Sequence, residues 1–337
     1  MAAALATATA VTMGEPAGIG AEITLKAWQA RDREKLGPFY FVGDPDHLAQ
    51  NARTLGQNIA VAEIGSPHDA VAAFARHLPV LRETLPRAAT SGKPDVAHAP
   101  AVLRAIDRAV EHTRAGQANA VVTNPVHKAT LMRAGFAYSG HTDYLGHLAG
   151  DIPTVMMLAA DTLKVIPVTV HVGLRAAIAA LSTEAIVHCG AVAAQAMRRD
   201  YGIARPRIAV AGLNPHAGED GMFGAEEDAI IRPAVAALHG RGIDAVGPLA
   251  ADSLFHAAAR RGYDVVLCMY HDQALIPIKT LAFERAVNVT LGLPFVRTSP
   301  DHGTALDIVG KGLADPSSFI EAVRLAQAMA RTRSQTA

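Results

Sequence analysis

Three histidines each follow a short apolar run that is typical of a buried strand. His171 follows Lys-Val-Ile-Pro-Val-Thr-Val, His216 lies just past Arg-Ile-Ala-Val-Ala-Gly-Leu-Asn-Pro, and His271 follows Asp-Val-Val-Leu-Cys-Met-Tyr. Parallel strands that are buried on both faces are apolar and β-branched, and ligands in open α/β folds bind beyond their carboxyl ends. Three imidazoles at one such edge form a ligand set for a metal ion. Because three protein ligands leave one coordination position open, the pattern predicts a catalytic metal site.

The alternative is that these histidines follow strands by chance, because the chain contains 15 histidines. The sequence around two of them favours the metal site. His216 lies in Asn-Pro-His-Ala-Gly-Glu, and His271 lies in Tyr-His-Asp-Gln. Residues of these types suit an exposed loop at a strand end better than a packed core.

Composition limits the classes of function. The 337 residues suffice for one large or two ordinary domains, and 50% hydrophobic with 18% charged residues indicate a globular protein. Lys+Arg and Asp+Glu are equal at 31 each, which favours neither a nucleic-acid partner nor a membrane surface. Cys189 and Cys268 have no Cys-x-x-Cys spacing, so neither a disulfide framework nor a structural zinc site is expected. Residues 1–11 lack a basic residue and resemble neither a signal peptide nor a membrane span, which predicts a cytoplasmic protein.

Strand-like and helix-like segments alternate along most of the chain, which predicts an α/β architecture with a mostly parallel sheet. The predicted strands span residues 8–13, 39–42, 120–123, 154–158, 164–170, 207–211, 264–269 and 287–291. The predicted helices span residues 19–29, 101–114, 183–199, 226–238 and 317–330. Residues 87–100 are rich in Ala, Ser, Gly and Pro and are predicted to form a surface connection.

A glycine-rich segment, Gly-Glu-Pro-Ala-Gly-Ile-Gly at residues 14–20, follows the first strand and opens a helix. Such a turn either lets the backbone approach an anion at the helix N-terminus or is simply tight. Its spacing is not Gly-x-Gly-x-x-Gly, so the usual dinucleotide fingerprint is absent, and no Walker motif occurs.

Several polar and basic residues lie in sequence contexts that suit an anion. Lys279 lies inside the apolar stretch 274–281, an unusual place for an ammonium group, and Arg297 follows Pro-Phe-Val. Arginine offers a planar fork and lysine a point charge to a phosphate or carboxylate. His141 and Thr142 follow a glycine turn, and Lys128 follows Thr-Asn-Pro-Val-His. For each basic residue, a surface ion pair or a solvated side chain is the alternative.

Taken together, these segments resemble the 4-hydroxythreonine-4-phosphate dehydrogenase family, the oxidative enzymes of one pathway to pyridoxal phosphate. The resemblance runs from residue 12 to about residue 328. Five motifs carry it in order: Gly-Glu-Pro-Ala-Gly-Ile-Gly at 14–20, Gly-His-Thr at 140–142, Gly-Leu-Asn-Pro-His-Ala-Gly-Glu at 212–219, Met-Tyr-His-Asp-Gln at 269–273, and Asn-Val-Thr-Leu-Gly-Leu-Pro-Phe-Val-Arg-Thr-Ser at 288–299, which continues into Asp-His-Gly-Thr-Ala at 301–305.

The resemblance implies a divalent metal held by three histidines, which match His171, His216 and His271. It also implies substrate contacts, which match His141, Thr142, Lys279, Asn288 and Arg297. Zinc is the metal that three histidines suit best, and cobalt, nickel, manganese and magnesium remain open. One departure is Ala286, where the family often has glycine; if that position needs a glycine-only conformation, the backbone there would be strained.

The implied fold is similar to that of isocitrate and isopropylmalate dehydrogenases, with two α/β domains around a cleft and a homodimer that shares each active site. The expected domains are residues 1–135 with 300–337, and residues 136–299, the second supplying most metal and substrate residues. The resemblance implies a nicotinamide cofactor bound without the usual fingerprint. NAD and NADP remain open, because without that fingerprint no ribose-reading acid is identifiable.

The implied reaction is the oxidation of 4-phosphooxy-L-threonine to a β-keto acid, which decarboxylates to 3-amino-2-oxopropyl phosphate. Asp252 and Asp272 are candidates for the acid/base, or for holding a metal-binding imidazole in one tautomer. His302 is either a cofactor-side group or a capping residue. Alternatives are the same chemistry on 4-phospho-D-threonate, 4-phospho-D-erythronate or a cyclic cis-diol carboxylate, a metal-dependent phosphohydrolase or acyl transferase, and a non-catalytic binding protein.

Overall fold

The computed structural model describes residues 7–138 and 140–336. The prediction that residues 1–11 are neither a signal peptide nor a membrane span therefore falls partly on residues 1–6, which lie outside the described residues. Among the described residues, no single helix has both the length and the apolar composition needed to cross a membrane. Two consecutive helices pass that test only as a pair, and they are bent by 88° relative to each other.

The strands are short and mostly buried. They are β1 Ala8–Thr12, β2 Phe39–Gly43, β3 Val61–Ile64, β4 Leu78–Arg82, β5 Ala118–Thr123, β6 Val155–Ala160, β7 Leu163–Pro167, β8 Arg207–Ala211, β9 Asp244–Leu249, β10 Val265–Cys268, β11 Val287–Leu291 and β12 Arg297–Pro300.

The α-helices vary more in length. They are α1 Gly20–Gln29, α2 Pro45–Thr54, α3 Asp69–Phe74, α4 Ala99–Arg114, α5 Lys128–Arg133, α6 His141–Leu148, α7 Leu174–Ala180, α8 Thr183–Tyr201, α9 Arg232–Gly240, α10 Ala251–Leu254, α11 His271–Ala282 and α12 Ser317–Thr336. Two 3₁₀ turns, Val96–His98 and Ala259–Gly262, and a π-helical turn, Glu227–Ile231, complete the helical structure of the described residues, apart from a turn at residues 215–218 that is treated with the site.

The first of two compact units comprises residues 7–154 and Leu293–Arg331. Its strands lie in the order β3-β4-β2-β1-β5-β12, and each neighbouring pair is parallel. The largest fully buried side chains include Tyr40, Phe39 and Phe41 of β2 and Ile106 of α4. Such apolar, aromatic strands are expected where helices cover both faces of a parallel sheet.

The second unit comprises Val155–Gly292 and the residues from 332 onward. Its strands lie in the order β11-β6-β7-β10-β8-β9. β6 is antiparallel to both neighbours, whereas β7, β10, β8 and β9 are mutually parallel. The predicted α/β class with a mostly parallel sheet is therefore confirmed.

The order of three strands decides where the candidate metal ligands lie. β10 pairs with β7 on one side and β8 on the other, with Leu267 opposite Ile166 and Val210. Because all three are parallel, their carboxyl ends share one edge of the sheet. The loops that carry His171, His216 and His271 leave the sheet at that edge, as the sequence pattern predicts.

Some local features differ from the expectations drawn from the sequence. β7 ends at Pro167, before the predicted 170, and His271 begins α11, a helix that was not predicted. The segment 274–281, interpreted as an apolar stretch, lies within α11, with only some of its residues buried. Ala286 is buried, and its φ lies outside the left-handed region, so the strain considered there is absent.

Candidate active site

The imidazoles of His171 and His271 lie side by side beyond the ends of β7 and β10. Their ring centroids are 5.8 Å apart, and both line a cavity of about 210 Å³ together with Tyr270, Asp272 and residues of α7. His171 has a φ of 52°, in the left-handed region that a non-glycine residue adopts at a cost. Strained backbone of this kind clusters at functional sites.

Asp272 fixes the ring of its neighbour. Its Oδ1 lies 2.7 Å from Nδ1 of His271. A carboxylate in that position accepts the Nδ1–H hydrogen bond, so the lone pair of the neutral ring is on Nε2. This arrangement orients an imidazole for metal binding through Nε2.

His216 lies on a left-handed turn beyond β8. Every residue from 216 to 221 has a positive φ, between 39° and 89°, and four of them are not glycine: His216, Ala217, Glu219 and Asp220. Each L-residue in this region costs about 1–2 kcal/mol. Hydrogen bonds close the turn, from the Glu219 N–H to the His216 carbonyl and from the Gly221 N–H to the Gly218 carbonyl. The imidazole of His216 packs against the ring of Phe223, with centroids 5.9 Å apart.

Two buried side chains join the three histidine-bearing loops just beyond the strand ends. The Thr169 hydroxyl donates to the Met269 carbonyl at 2.8 Å, which ties the His171 loop to the His271 loop. Gln273 accepts from the Met269 N–H at 2.6 Å and donates to the Gly212 carbonyl at 2.8 Å, which ties the His271 loop to the His216 loop. Side-chain hydrogen bonds therefore connect the three chain segments beyond the strand ends, next to the candidate ligands.

Within residues 7–138 and 140–336, no group of three or more His, Cys, Asp or Glu side chains is close enough to hold a metal ion. The spacing of His171 and His271 nevertheless fits one, because two imidazoles on a zinc ion at about 2 Å have ring centres about 5–6 Å apart. His171 and His216 are exposed, so their rings are accessible to an ion. The donor set of imidazoles with an oriented Nε2 suits zinc and its neighbours in the first transition series.

Lys279 lies on the same helix as His271. The two residues line a shallow depression of about 460 Å³ with Asp272 and Ile276. Lys279 is half-buried, with Nζ 5.9 Å from the ring of Phe283. Although the sequence around Lys279 is apolar, its side chain therefore lies on a partly exposed face of α11.

Asn288 and Asp252 complete the candidates of the second unit. Asn288 lies in β11, and its Oδ1 is buried with no hydrogen-bond partner among the described residues. A buried amide oxygen without a hydrogen-bond partner lowers the stability of the fold, and such an atom is typical of a ligand-binding position. Asp252 is exposed on α10, and this helix packs against the turn at 215–218 that carries His216.

In the first unit, His141, Lys128 and Arg297 form an electropositive cluster. Arg297, the first residue of β12, is 2% exposed and donates to the Thr123 hydroxyl at 2.6 Å. Burial lowers the pKa of Arg297 to about 9. Burial, with the charges of Arg297 and Lys128, lowers the pKa of His141 to about 3.

The cluster therefore presents a neutral imidazole beside two cations at neutral pH. His141 Nε2 is buried and has no hydrogen-bond partner in the described part of the chain. Thr142 follows in the first turn of α6. A buried arginine and an exposed lysine beside an imidazole nitrogen without a hydrogen-bond partner suit an anion such as a phosphate or carboxylate.

The glycine-rich segment at 14–20 forms a close approach between two loops. Gly14 has a φ of 69°, and a Cβ there would lie 2.6 Å from the Pro125 carbonyl oxygen. The Glu15 carboxyl accepts from the Ala17 N–H, and burial raises its pKa. His302 lies beyond β12, with Nδ1 3.0 Å from the Gly303 carbonyl oxygen and a buried Nε2.

No pattern in the sequence predicted the residues that join the loops. Thr169 and Gln273 lie two residues from His171 and His271, inside the quoted segments, but their types alone predict no bridge. Glu227, which is buried beside the His216 turn, has only the pattern of a helical residue. The one available signal was position, since polar residues next to ligand residues are common hydrogen-bond partners.

The family model described as "Pyridoxal phosphate biosynthetic protein PdxA" matches residues 34–326. The chain belongs to this family. A PdxA relative from Bradyrhizobium diazoefficiens, named 4-hydroxythreonine-4-phosphate dehydrogenase, is 53% identical over 96% of this chain and 97% of its own length.

Solved structures agree with the family. The 4-hydroxythreonine-4-phosphate dehydrogenase of Klebsiella pneumoniae is 38% identical, with a TM-score of 0.86 over 96% of this chain and 100% of that one. A terephthalate 1,2-cis-dihydrodiol dehydrogenase from Burkholderia xenovorans is 28% identical, with a TM-score of 0.65 over 96% of this chain and 98% of that one. Dehydrogenases with different substrates thus share the PdxA architecture.

Proposed function

We propose that this protein oxidises 4-phosphooxy-L-threonine with NAD or NADP to 2-amino-3-oxo-4-phosphooxybutanoate, which loses CO₂ to give 3-amino-2-oxopropyl phosphate, a step of pyridoxal 5′-phosphate biosynthesis. The observation that carries the proposal is the 53% identity, over nearly the whole chain, with a relative of that name. The matched positions all retain residues that suit the chemistry. We further propose that the protein is cytoplasmic.

His171, His216 and His271 are the proposed ligands of a divalent metal, with zinc first and cobalt, nickel, manganese or magnesium as alternatives. When bound, such an ion supplies Lewis acidity that lowers the pKa of an alcohol. Asp272 holds His271 with Nε2 available, and Thr169 and Gln273 set the positions of the loops. Asp272 is thus a positioning residue, and Asp252 is the candidate acid/base.

His141, Thr142 and Arg297 are the proposed partners of one anionic end of the substrate. Arg297 is cationic at neutral pH, since its pKa of about 9 is still above 7. His141 is neutral there and has an unused nitrogen. Lys279 and Asn288 are proposed to bind the remaining polar groups. Gripping groups away from the reacting carbon positions that carbon for hydride transfer to the nicotinamide.

A homodimer with shared active sites is the proposed assembly. α7 and α11 expose large apolar side chains beside the cavity and the depression that His271 lines, among them Leu174 at 58% and Ile276 at 65%. Clustered exposed apolar residues mark interaction sites. A variant with Leu174 and Ile276 changed to Lys is expected to be monomeric in analytical ultracentrifugation and to lose activity; full activity in a monomer would rule the shared site out.

The first test follows nicotinamide reduction by absorbance with 4-phosphooxy-L-threonine and NAD or NADP, with and without a chelator. Turnover that the chelator abolishes and added zinc restores is the expected result. Turnover without any metal would refute the metal requirement. Absence of reduction in metal-loaded protein would refute the substrate and bring a phosphohydrolase or acyl transferase forward, since neither needs a nicotinamide.

The second candidate is the same oxidation on another hydroxy acid. The structural similarity to a dihydrodiol dehydrogenase favours it, because that enzyme acts on a cyclic diol by its name. Parallel assays with 4-phospho-D-threonate, 4-phospho-D-erythronate and a cis-dihydrodiol carboxylate distinguish the substrates. Turnover of only one of these moves the protein to that pathway while the site chemistry is kept.

A further inference from the structure

The turn that carries His216 is anchored by one buried carboxylate. Glu227 is 2% exposed, and its Oε1 accepts hydrogen bonds from the Leu213 N–H at 2.8 Å and the Asn214 N–H at 2.7 Å. Its Oε2 accepts from the Asn214 side-chain amide at 2.9 Å. A buried carboxylate is stable only when its oxygens are paired, and here the partners all belong to the His216 loop.

The loop is shaped to receive this carboxylate. A Cβ on Gly218 would lie 2.7 Å from Glu227 Oε2, and one on Gly212 would lie 3.3 Å from Oε1. Only glycine at residue 218 therefore leaves room for the Glu227 side chain. Glu227 itself begins the π-helical turn Glu227–Ile231, a rare local geometry that recurs at functional sites.

The anchor lies directly before the strained part of the chain. Leu213 and Asn214 precede Pro215, and residues 216–221 then follow with positive φ throughout. Conformations of this kind persist only when their surroundings hold them in place. The hydrogen bonds within the turn connect its own residues, whereas Glu227 connects it to a helix outside the loop.

We infer that Glu227 is a positioning residue, which clamps the left-handed turn so that His216 is presented at the edge shared with His171 and His271. The inference rests on the proposed role of His216 as a metal ligand. Glu227 is not proposed to contact substrate or metal. It restricts the conformations of the His216 loop, so that metal binding does not have to supply the free energy of ordering this loop.

The main variant is Glu227→Gln. It keeps the size of the side chain but turns one acceptor oxygen into a donor, which then faces either a backbone N–H or the Asn214 amide. Zinc binding to metal-free protein, measured by isothermal titration calorimetry, is expected to weaken by about 10- to 100-fold. Asp228→Asn is the matched control, since Asp228 is exposed and pairs only with Arg232 in the contacts of the described chain; it should bind zinc like the wild type.

A rescue separates positioning from general stability. Ala217→Gly relieves backbone strain at a φ of 53°, so added to Glu227→Gln it should recover part of the lost zinc affinity. Wild-type zinc affinity in Glu227→Gln would overturn the inference. So would an equal loss in Asp228→Asn.

Hydrogen exchange on the wild-type protein covers the case in which Glu227→Gln fails to fold. The amides of Leu213 and Asn214 should exchange far more slowly than that of Met222, which lies beyond the clamp. Equal rates would overturn the inference. If His216→Ala binds zinc as well as the wild type, the proposed ligand set fails, and the exchange rates still decide whether Glu227 clamps the turn.

Discussion

In the second unit His171 and His216 lie on exposed loops with left-handed backbone, and His271 is half-buried at the start of α11. In the first unit, by contrast, Arg297 is buried and His141 half-buried, and desolvation lowers the pKa of both. The two sets store free energy differently. Backbone strain in the loops is offset by the hydrogen bonds of Thr169, Gln273 and Glu227, and by a metal ion when one binds. Desolvation of Arg297 is offset when an anion binds. A metal site thus depends on loop order, and an anion site depends on charge.

The largest effect is expected from His271→Ala. Removing one of three imidazoles should weaken zinc binding by more than about 100-fold, since the loss of a mere hydrogen-bond partner to a ligand already costs 10- to 100-fold. Activity should fall with it. Calorimetry and nicotinamide reduction are the measurements, with His188→Ala on the exposed face of α8 as control. Retained zinc affinity in His271→Ala would remove this residue from the ligand set.

Arg297→Met tests the other side of the comparison. Removing a buried cation from its anion should cost about 2–5 kcal/mol of binding free energy. The Michaelis constant for the phosphorylated substrate should rise accordingly, while zinc affinity stays unchanged. Arg76→Met, at an exposed position, is the control. Loss of zinc affinity in Arg297→Met as well would show that the anion site and the metal site are not energetically independent.

Gln273→Leu should weaken zinc binding without changing substrate binding, and its effect should be smaller than that of His271→Ala. It leaves the Met269 N–H and the Gly212 carbonyl without their partner, which should lower the free energy of unfolding by about 1–3 kcal/mol. Zinc affinity should fall by about 10- to 100-fold. Thr169→Val removes a single bridge and should have the smaller effect in both urea denaturation and calorimetry. If Thr169→Val is the more damaging change, the bridge through Gln273 is not the main one.

The smallest effect is the pH dependence that His141 contributes. Its pKa of about 3 lies below the ordinary value of about 6.5, so between these values the unfolded chain binds a proton that the folded protein does not. This contribution to stability is present above pH 6.5 and is lost as the pH falls towards 3. His141→Asn should lessen the slope by at most about 1.4 kcal/mol per pH unit. Urea denaturation between pH 7 and 5 measures it; identical slopes would show that the imidazole is freely protonated in the folded state.

Much of the sheet was predictable, because buried strands have a composition of their own. β8 and β11 have the predicted bounds, and the three histidines share the predicted edge. β12 was missed because three of its four residues, Arg-Thr-Ser-Pro, are polar although all four are buried. α11 was missed because a helix that opens with His and contains Pro277 has no clear apolar face in the sequence.

The candidate site was predictable as a set of residue types but not as an arrangement. Because His and Arg are recognised as residue types, the sequence alone indicates imidazole groups for a metal and guanidinium groups for an anion. Gln273 and Glu227 act through hydrogen bonds to residues that lie elsewhere in the chain, such as Gly212 and Leu213, and no local pattern encodes these pairs. The burial that shifts the pKa of His141 is likewise a property of the folded unit.

The division of the chain has a consequence for the order in which the protein is made. The second unit is nearly continuous in sequence, Val155–Gly292, whereas the first needs Leu293–Arg331 to supply β12 beside β5. During synthesis from the N-terminus, domains fold as their residues emerge from the ribosome. The inserted unit can therefore complete most of its fold while the unit that begins the chain still lacks a strand. The edge that carries His171, His216 and His271 can therefore form before Arg297, the proposed anion ligand, has paired with β5 in the first unit.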